Sequence, residues 1–476
     1  MDQRHLQRTL MAVFVMALLA ACAAPAATVA PTQPAATTVP TQAAATSAAT
    51  QAAAATSAPA ATTSASGPVT IRVITQFAVG AEPQPTLDKI AAEFNQENPN
   101  IHVVFDWSGG ADFMKKYQAQ LAAGTPYDIL WQNEGTAAVL ARQGVSANIT
   151  QYLDGKNYDG TSTWKDTFIP SILQRAYVSD GQDGAGYYAI PDEQFIGGIW
   201  YNKAIFTKYN IQIPQTWDQL LAVCDTLKSN GLDCISADGG VTSYNSFWFS
   251  YLAMRQVGCD VFHDTAMGKA GTTFNTPDFT TVAQDVATLH DKNYLMKGYQ
   301  GSAWPAAQME FVQSKTGLML MNSWLPGEML SSAPKDFPYG FFAFPSLAGS
   351  KADQTTVQLK FNGYIVTKAA PHHDEAIQFI KKLLSKKAEE SYAAASWYPG
   401  VLPGLTLPGP LADTAPVLQN AKTVAGFTCG LDGDAPEWES NVLEPLDDKL
   451  FFGQMTPTDF ITQLQSQTTS YWASKK

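Results

Sequence analysis

The sequence predicts an α/β protein with room for two lobes. Three observations predict it. Strand-like and helix-like segments alternate from residue 69 onward. The stretch 68–476 is long enough for two lobes and a sizeable core. No segment beyond the N-terminus is long and apolar enough to cross a bilayer.

Val69-Thr70-Ile71-Arg72-Val73-Ile74 alternates as a strand. Residues 86–95 carry Leu87, Ile90, Ala91 and Phe94 at helical spacing, with Thr86 as the expected N-cap. Asn98-Pro99-Asn100 breaks that helix, and Ile101-His102-Val103-Val104-Phe105 reads as a second strand. A helix over 112–123, a strand over 127–131 and a helix over 136–142 continue the pattern. Such alternation implies a mostly parallel sheet with covered faces, and such sheets bind ligands at the carboxyl ends of their strands. Those ends hold Gln76-Phe77, Trp107-Ser108-Gly109 and Gln132-Asn133-Glu134, a rim of amides, a carboxylate and aromatic rings.

Acidic residues outnumber basic ones, 42 to 30, for a formal charge of −12. That balance disfavours nucleic acid and anionic membrane surfaces as partners. Only 15% of residues are charged while 11% are aromatic, so rings beyond the needs of a core suggest a stacking surface. No CxxC occurs and the histidines show no zinc spacing, so neither a metal nor a cofactor is expected.

The N-terminus reads as an export signal. Arg4 and Arg8 precede an apolar run from Leu10 to Ala20, too short to span a bilayer. Leu19-Ala20-Ala21-Cys22 resembles the lipobox of bacterial lipoproteins. The resemblance implies removal of residues 1–21, a diacylglyceryl group on Cys22 and an acylated terminus (a palmitate, for example), which anchors the chain to the outer face of a membrane. Residues 23–67 contain no charged or aromatic side chain. Such a composition cannot offset ordering entropy, so 22–67 is expected to be a lipidated, disordered tether. Four further cysteines remain, Cys224, Cys234, Cys259 and Cys429, an even number in an exported domain, and three pairings are possible. Cys224 and Cys234 lie ten apart across a helix end and the next strand, so they can meet. Cys259–Cys429 is then the long-range pair.

Several runs resemble the family 1 extracellular solute-binding proteins, the maltose-binding-protein group. They are Phe94 to Val103, Leu121-Ala122-Ala123-Gly124-Thr125-Pro126-Tyr127-Asp128-Ile129, Tyr188-Ala189-Ile190-Pro191 with Ile199-Trp200-Tyr201-Asn202-Lys203, Pro214-Gln215-Thr216-Trp217-Asp218-Gln219-Leu220-Leu221, Gly363-Tyr364-Ile365-Val366, and a closing segment from Met455 to Trp472. The resemblance implies a periplasmic-binding-protein-like fold: two α/β lobes joined at a hinge, with the ligand cleft between them. Crossovers are expected near residues 189–194 and 359–364. The expected division is 68–190 for the first lobe, 191–361 for the second, 362–401 returning to the first and 402–476 returning to the second. It also implies a monomer that captures a carbohydrate and delivers it to the permease subunits of an ABC transporter, without being an enzyme.

Sugars present C–H faces that suit aromatic rings and hydroxyls that suit amides and carboxylates. By position in the family, Trp248, Trp324 and Trp438 are expected as stacking rings, with Trp107 on the rim. Gln132, Asn133, Glu134, Glu193 and Asn362 are the polar candidates. Trp217 begins a helix and reads as structural. Gly184-Ala185-Gly186-Tyr187-Tyr188-Ala189 fits a dinucleotide pattern but leads into no helix, and Asp432-Gly433-Asp434 lacks the spacing of a calcium loop. Two other readings stay open. A non-sugar solute of the same fold, such as a glycerol phosphate or a polyamine, would want cations or several carboxylates in the cleft loops. A lipid-anchored glycoside hydrolase would need two carboxylates facing one sugar, for which Glu134 and Glu193 are the candidates.

Overall fold

Two long strands organise the chain. The computed structural model describes residues 68–475 apart from 78, 82, 110 and 111, all within one compact unit, Ala65–Lys476. Cys22, the signal segment and the tether lie outside the described residues. The strands are β1 (Val69–Thr75), β2 (Ile101–Trp107), β3 (Ile129–Asn133), β4 (Tyr177–Val178), β5 (Gly186–Tyr187), β6 (Ile190–Asn202), β7 (Asp233–Ile235), β8 (Thr316–Asn322), β9 (Tyr339–Phe342), β10 (Val357–Val366) and β11 (Val424–Ala425). The main sheet runs β2-β1-β3-β10-β6-β8-β7, with β11 beside β10 and β9 beside β6.

Strand β6 is buried along all 13 residues. Its first half pairs with β10, and from Gly197 onward it pairs with β8 and β9. Strand β10 makes the matching passage: Val357 and Gln358 pair with β11, and Asn362–Val366 pair with β3. The fold is therefore α/β and two-lobed, with continuous strands crossing between strand groups.

The sheet corrects one expectation. Pairs β1–β2, β1–β3 and β7–β8 are parallel, but β10 runs antiparallel to β3 and β6, and β6 antiparallel to β8 and β9. The sheet is mixed. A crossover made by one strand, without a helix to restore direction, enters the next strand group reversed.

Local sequence explains the elements around it. The helix Gln84–Glu97 buries Leu87, Ile90, Ala91 and Phe94, the face read from periodicity. It begins two residues before the expected cap: Pro83 precedes it, and Thr86 sits inside the first turn. The helix Glu134–Arg142 is capped by Asn133, whose side chain accepts from the Thr136 N–H at 3.0 Å. The helix Trp217–Ser229 starts with a capping box between Thr216 and Gln219. Trp217 is buried there and donates its indole N–H to Asp285 at 3.0 Å.

Two disulfides are formed. Cys224–Cys234 joins that helix to β7, and Cys259–Cys429 ties the start of the helix Cys259–Ala266 to the turn Phe427–Gly430. Among the described residues no helix is long and apolar enough to cross a membrane.

Candidate functional site

The carboxyl ends of β1 and β3 converge with the crossing strands on a cavity of about 570 Å³. Gln76 and Phe77 follow β1, Trp131 and Asn133 come from β3, and Phe195, Lys360 and Asn362 come from the two crossing strands. The lining is completed by Tyr244 of the helix Thr242–Gln256, Trp304, Trp324, Glu328 and Tyr398. This volume lies within the range of small-molecule sites.

Aromatic rings shape the cavity. Phe77 packs on Trp131 at 4.6 Å between ring centroids. Phe195 holds an edge-to-face cluster, with Trp324 at 5.4 Å and Tyr398 at 5.6 Å. Trp304 is 53% exposed and forms part of the mouth.

Polar groups sit between the rings. Asn133 spends its side-chain oxygen on the helix cap. Asn362 donates to Glu193 at 3.0 Å. The indole N–H of Trp324 and Oε2 of Glu328 are buried without a hydrogen-bond partner. Burial raises the Glu328 carboxyl to about 8, so much of it is neutral near pH 7. Lys360 brings a cation to the wall. Its ammonium lies 4.0 Å from Asp432 and 4.6 Å from the centroid of Phe427, so its charge is partly offset.

A layer of buried carboxyls stands behind the wall. Asp192 accepts the indole N–H of Trp131 at 2.8 Å. Glu193 is fully buried and accepts from Asn362 and the Tyr392 hydroxyl. Burial pushes Glu193 up to about 7 and, with the adjacent Glu193 charge, holds Asp192 well above the usual carboxyl range.

Residues 79–390 match the profile of a family described as bacterial extracellular solute-binding proteins. The chain belongs to that family. This solute-binding protein is 23% identical over 354 residues to the "Multiple sugar-binding protein" of Streptococcus mutans serotype c, covering 70% of this chain and 76% of that one. It is 23% identical over 323 residues to an uncharacterized ABC transporter extracellular-binding protein of Pyrococcus horikoshii, covering 66% of this chain and 68% of the relative. A solved structure titled "Chitin oligosaccharide binding protein" superposes with a TM-score of 0.70 at 20% identity, over 85% of this chain and 98% of that one. The structural likeness speaks for the fold.

The structure places the expected site residues of this solute-binding protein in three groups. Asn133, Trp324 and Asn362 line the cavity. Gln132 and Glu193 stand next to lining residues without lining it. Side chains alternate along a strand, so Trp131 and Asn133 share one face of β3 and Gln132 takes the other. Trp107, Glu134, Trp248 and Trp438 are elsewhere. Trp107 ends the edge strand β2 and stacks on Phe105 at 5.0 Å. Glu134 forms an ion pair with Arg175, Oε2 accepting from Nε at 3.0 Å. Trp248 is a core residue between Trp217 and Phe344. Trp438 is fully buried, lies parallel to Phe274 and donates to the Thr468 hydroxyl at 3.0 Å. None of these four lines this cavity, against the expectation: packing, and for Glu134 a guanidinium, engages each one.

Sequence reasoning missed Trp131, Phe195, Tyr244, Trp304, Glu328, Lys360 and Tyr398. Strand alternation could have found Trp131 from Asn133. The strand-end loops read from the sequence hold no Arg or Lys; Lys360 reaches the cavity from the crossing strand β10, paired there with β6.

Proposed function

We propose that this chain captures a neutral sugar or short oligosaccharide in the cleft, closes its lobes around it, and delivers it to the permease of an ABC importer. The observation that carries the reading is the cavity wall itself. Aromatic rings supply faces for sugar C–H groups, while amides and the unpartnered groups of Trp324 and Glu328 supply hydrogen bonds that hydroxyls can complete. The partly offset charge of Lys360 and the burial-raised pKa of Glu328 favour an uncharged solute. The sugar-binding names of relatives point the same way. The lobes in this reading are 68–190 with 362–401 and 191–361 with 402–476, hinged where β6 and β10 change partners.

Binding without hydrolysis belongs to the same reading. Hydrolysis would want two carboxylates facing one sugar. Glu134 is committed to Arg175 and Glu193 lies behind Asn362, which leaves Glu328 as the lining carboxyl. Lys360 favours one second reading, an anionic solute such as a phosphate ester, if binding displaces Asp432.

A thermal-shift screen of neutral oligosaccharides, sugar phosphates and polyamines tests the class, because a solute that binds only the folded state raises Tm. Stabilisation by a neutral sugar supports the proposal. Stabilisation by a phosphate ester or polyamine alone replaces it. We also propose a monomer, exported and held at the outer membrane face by lipid on Cys22, with 22–67 as its tether. Mass spectrometry of the natural N-terminus checks this, and an unmodified Cys22 or cleavage elsewhere overturns it.

A further inference from the structure

The register between the crossing strands slips by one residue. Asn362 lies opposite Glu193, and Gly363 lies opposite Pro191, so Asp192 has no partner on β10. This is a β-bulge, a feature that re-aims side chains and is enriched beside functional sites. It depends on close approach. A Cβ on Gly363 would lie 2.2 Å from the Ile190 carbonyl oxygen and 2.9 Å from Pro191 Cα, so only glycine fits.

The bulge sends the Asp192 side chain toward β3. One carboxyl oxygen accepts the Trp131 indole N–H at 2.8 Å; the Tyr364 hydroxyl faces the same carboxyl, but the second oxygen is buried with no partner at full hydrogen-bond geometry. Trp131 lines the cavity; Asp192, 6% exposed, does not. Burying a carboxyl this incompletely satisfied costs stability, so packing alone is a poor account of it. Orientation of the indole is a better one, since one hydrogen bond fixes a ring that lines the cavity, while Phe77 supports it at 4.6 Å. Residue 193, next along the strand, does the same for Asn362.

We propose that Asp192, displaced from the ladder by the bulge that Gly363 permits, is a positioning residue of the cleft that fixes the Trp131 ring against which the solute is held. The role of that ring in binding rests on the proposed function; its fixation by Asp192 does not.

The test therefore uses the full chain without solute. The Trp131 indole N–H resonance is identified by its loss in Trp131→Phe, and the indoles of Trp200 and Trp438, bonded to Asn322 and Thr468, report on folding. In the unsubstituted chain the Trp131 indole should exchange slowly with solvent. Asp192→Leu should shift its resonance and speed its exchange by about tenfold or more, while the two reporter indoles stay unchanged. Asp192→Asn, which keeps an acceptor oxygen, should restore slow exchange. If Asp192→Leu does not fold, Asp192→Ala takes its place, and fast exchange in the unsubstituted chain already overturns the proposal. So does an unchanged Trp131 resonance in the Leu or Ala variant, or an Asn variant that behaves like them. A sugar reading that fails leaves all of these outcomes as they are, so the two failures are told apart.

Discussion

Gly363 of β10 meets the backbone of Ile190 in β6 so closely that a single methyl group would fall 2.2 Å from its carbonyl oxygen. That contact lies where two strands that cross between lobes slip register, directly behind Trp131 and Asn362 of the cavity wall.

Gly363→Ala should force the strands apart. Overpacking of this kind costs about 1–3 kcal/mol. Urea denaturation should show that loss, and the Trp131 indole should exchange faster as its tie to Asp192 loosens. An alanine variant of unchanged stability would mean that the bulge relaxes freely.

Trp324 and Trp438 should respond in opposite ways. Trp324→Ala removes a ring of the cavity wall and should weaken sugar binding by about tenfold or more, with little change in Tm. Trp438→Ala opens a hole in a core and breaks the bond to Thr468, which should cost about 3–5 kcal/mol in stability. Calorimetry with the sugar found by screening, alongside thermal denaturation, separates the two. Equal loss of binding in both variants would place Trp438 nearer the ligand than its burial allows.

Stability should fall as pH rises through neutrality. Burial raises Glu389 from about 4.5 to about 8, while its Oε2 accepts the Leu402 backbone N–H at 3.2 Å. The folded state then holds a proton that the unfolded state releases at lower pH. The stabilisation is complete below about 4.5 and is lost as pH climbs toward 8. Glu193 adds the same sign up to about 7. Glu389→Gln keeps an acceptor for Leu402 and removes the titration, so its Tm should depend less on pH between about 5 and 8. Parallel pH curves for the variant and the unsubstituted chain would show that Glu389 does not titrate in this range.

The two disulfides should differ in weight. Cys259–Cys429 closes a separation of 170 residues and Cys224–Cys234 one of 10. Chain entropy assigns about 5 kcal/mol to the first and about 3 kcal/mol to the second. Denaturation of Cys259→Ala and Cys224→Ala variants measures the difference. A larger loss from Cys224→Ala would mean that native packing, rather than chain entropy, sets the order.

The sequence by itself determined what depends on local pattern. Apolar periodicity placed the buried face of the helix Gln84–Glu97 and the strands β1 and β2. Cysteine spacing offered the pair Cys224–Cys234, while the helix start at Trp217 came from a run that resembles the family. Ordered motifs carried the family. Of the residues lining the cavity, Asn133 was offered by the end of a strand and Trp324 by its position in the family.

Only the tertiary structure decided which rings face the cleft. Trp248 and Trp438 are as aromatic as Trp131 and Trp304, and nothing in their neighbouring residues says which side of a helix or strand meets solvent. That depends on the elements that pack from far along the chain: Phe344 against Trp248, Thr468 against Trp438, Asp192 against Trp131. The same holds for Glu134, which looks like a rim carboxylate until Arg175 folds beside it, and for Lys360, which reaches the cavity through a strand pairing. Local sequence fixes what a side chain can do, because dihedral preference and periodicity act over a few residues. Contacts between residues 30 to more than 150 apart then choose what it does.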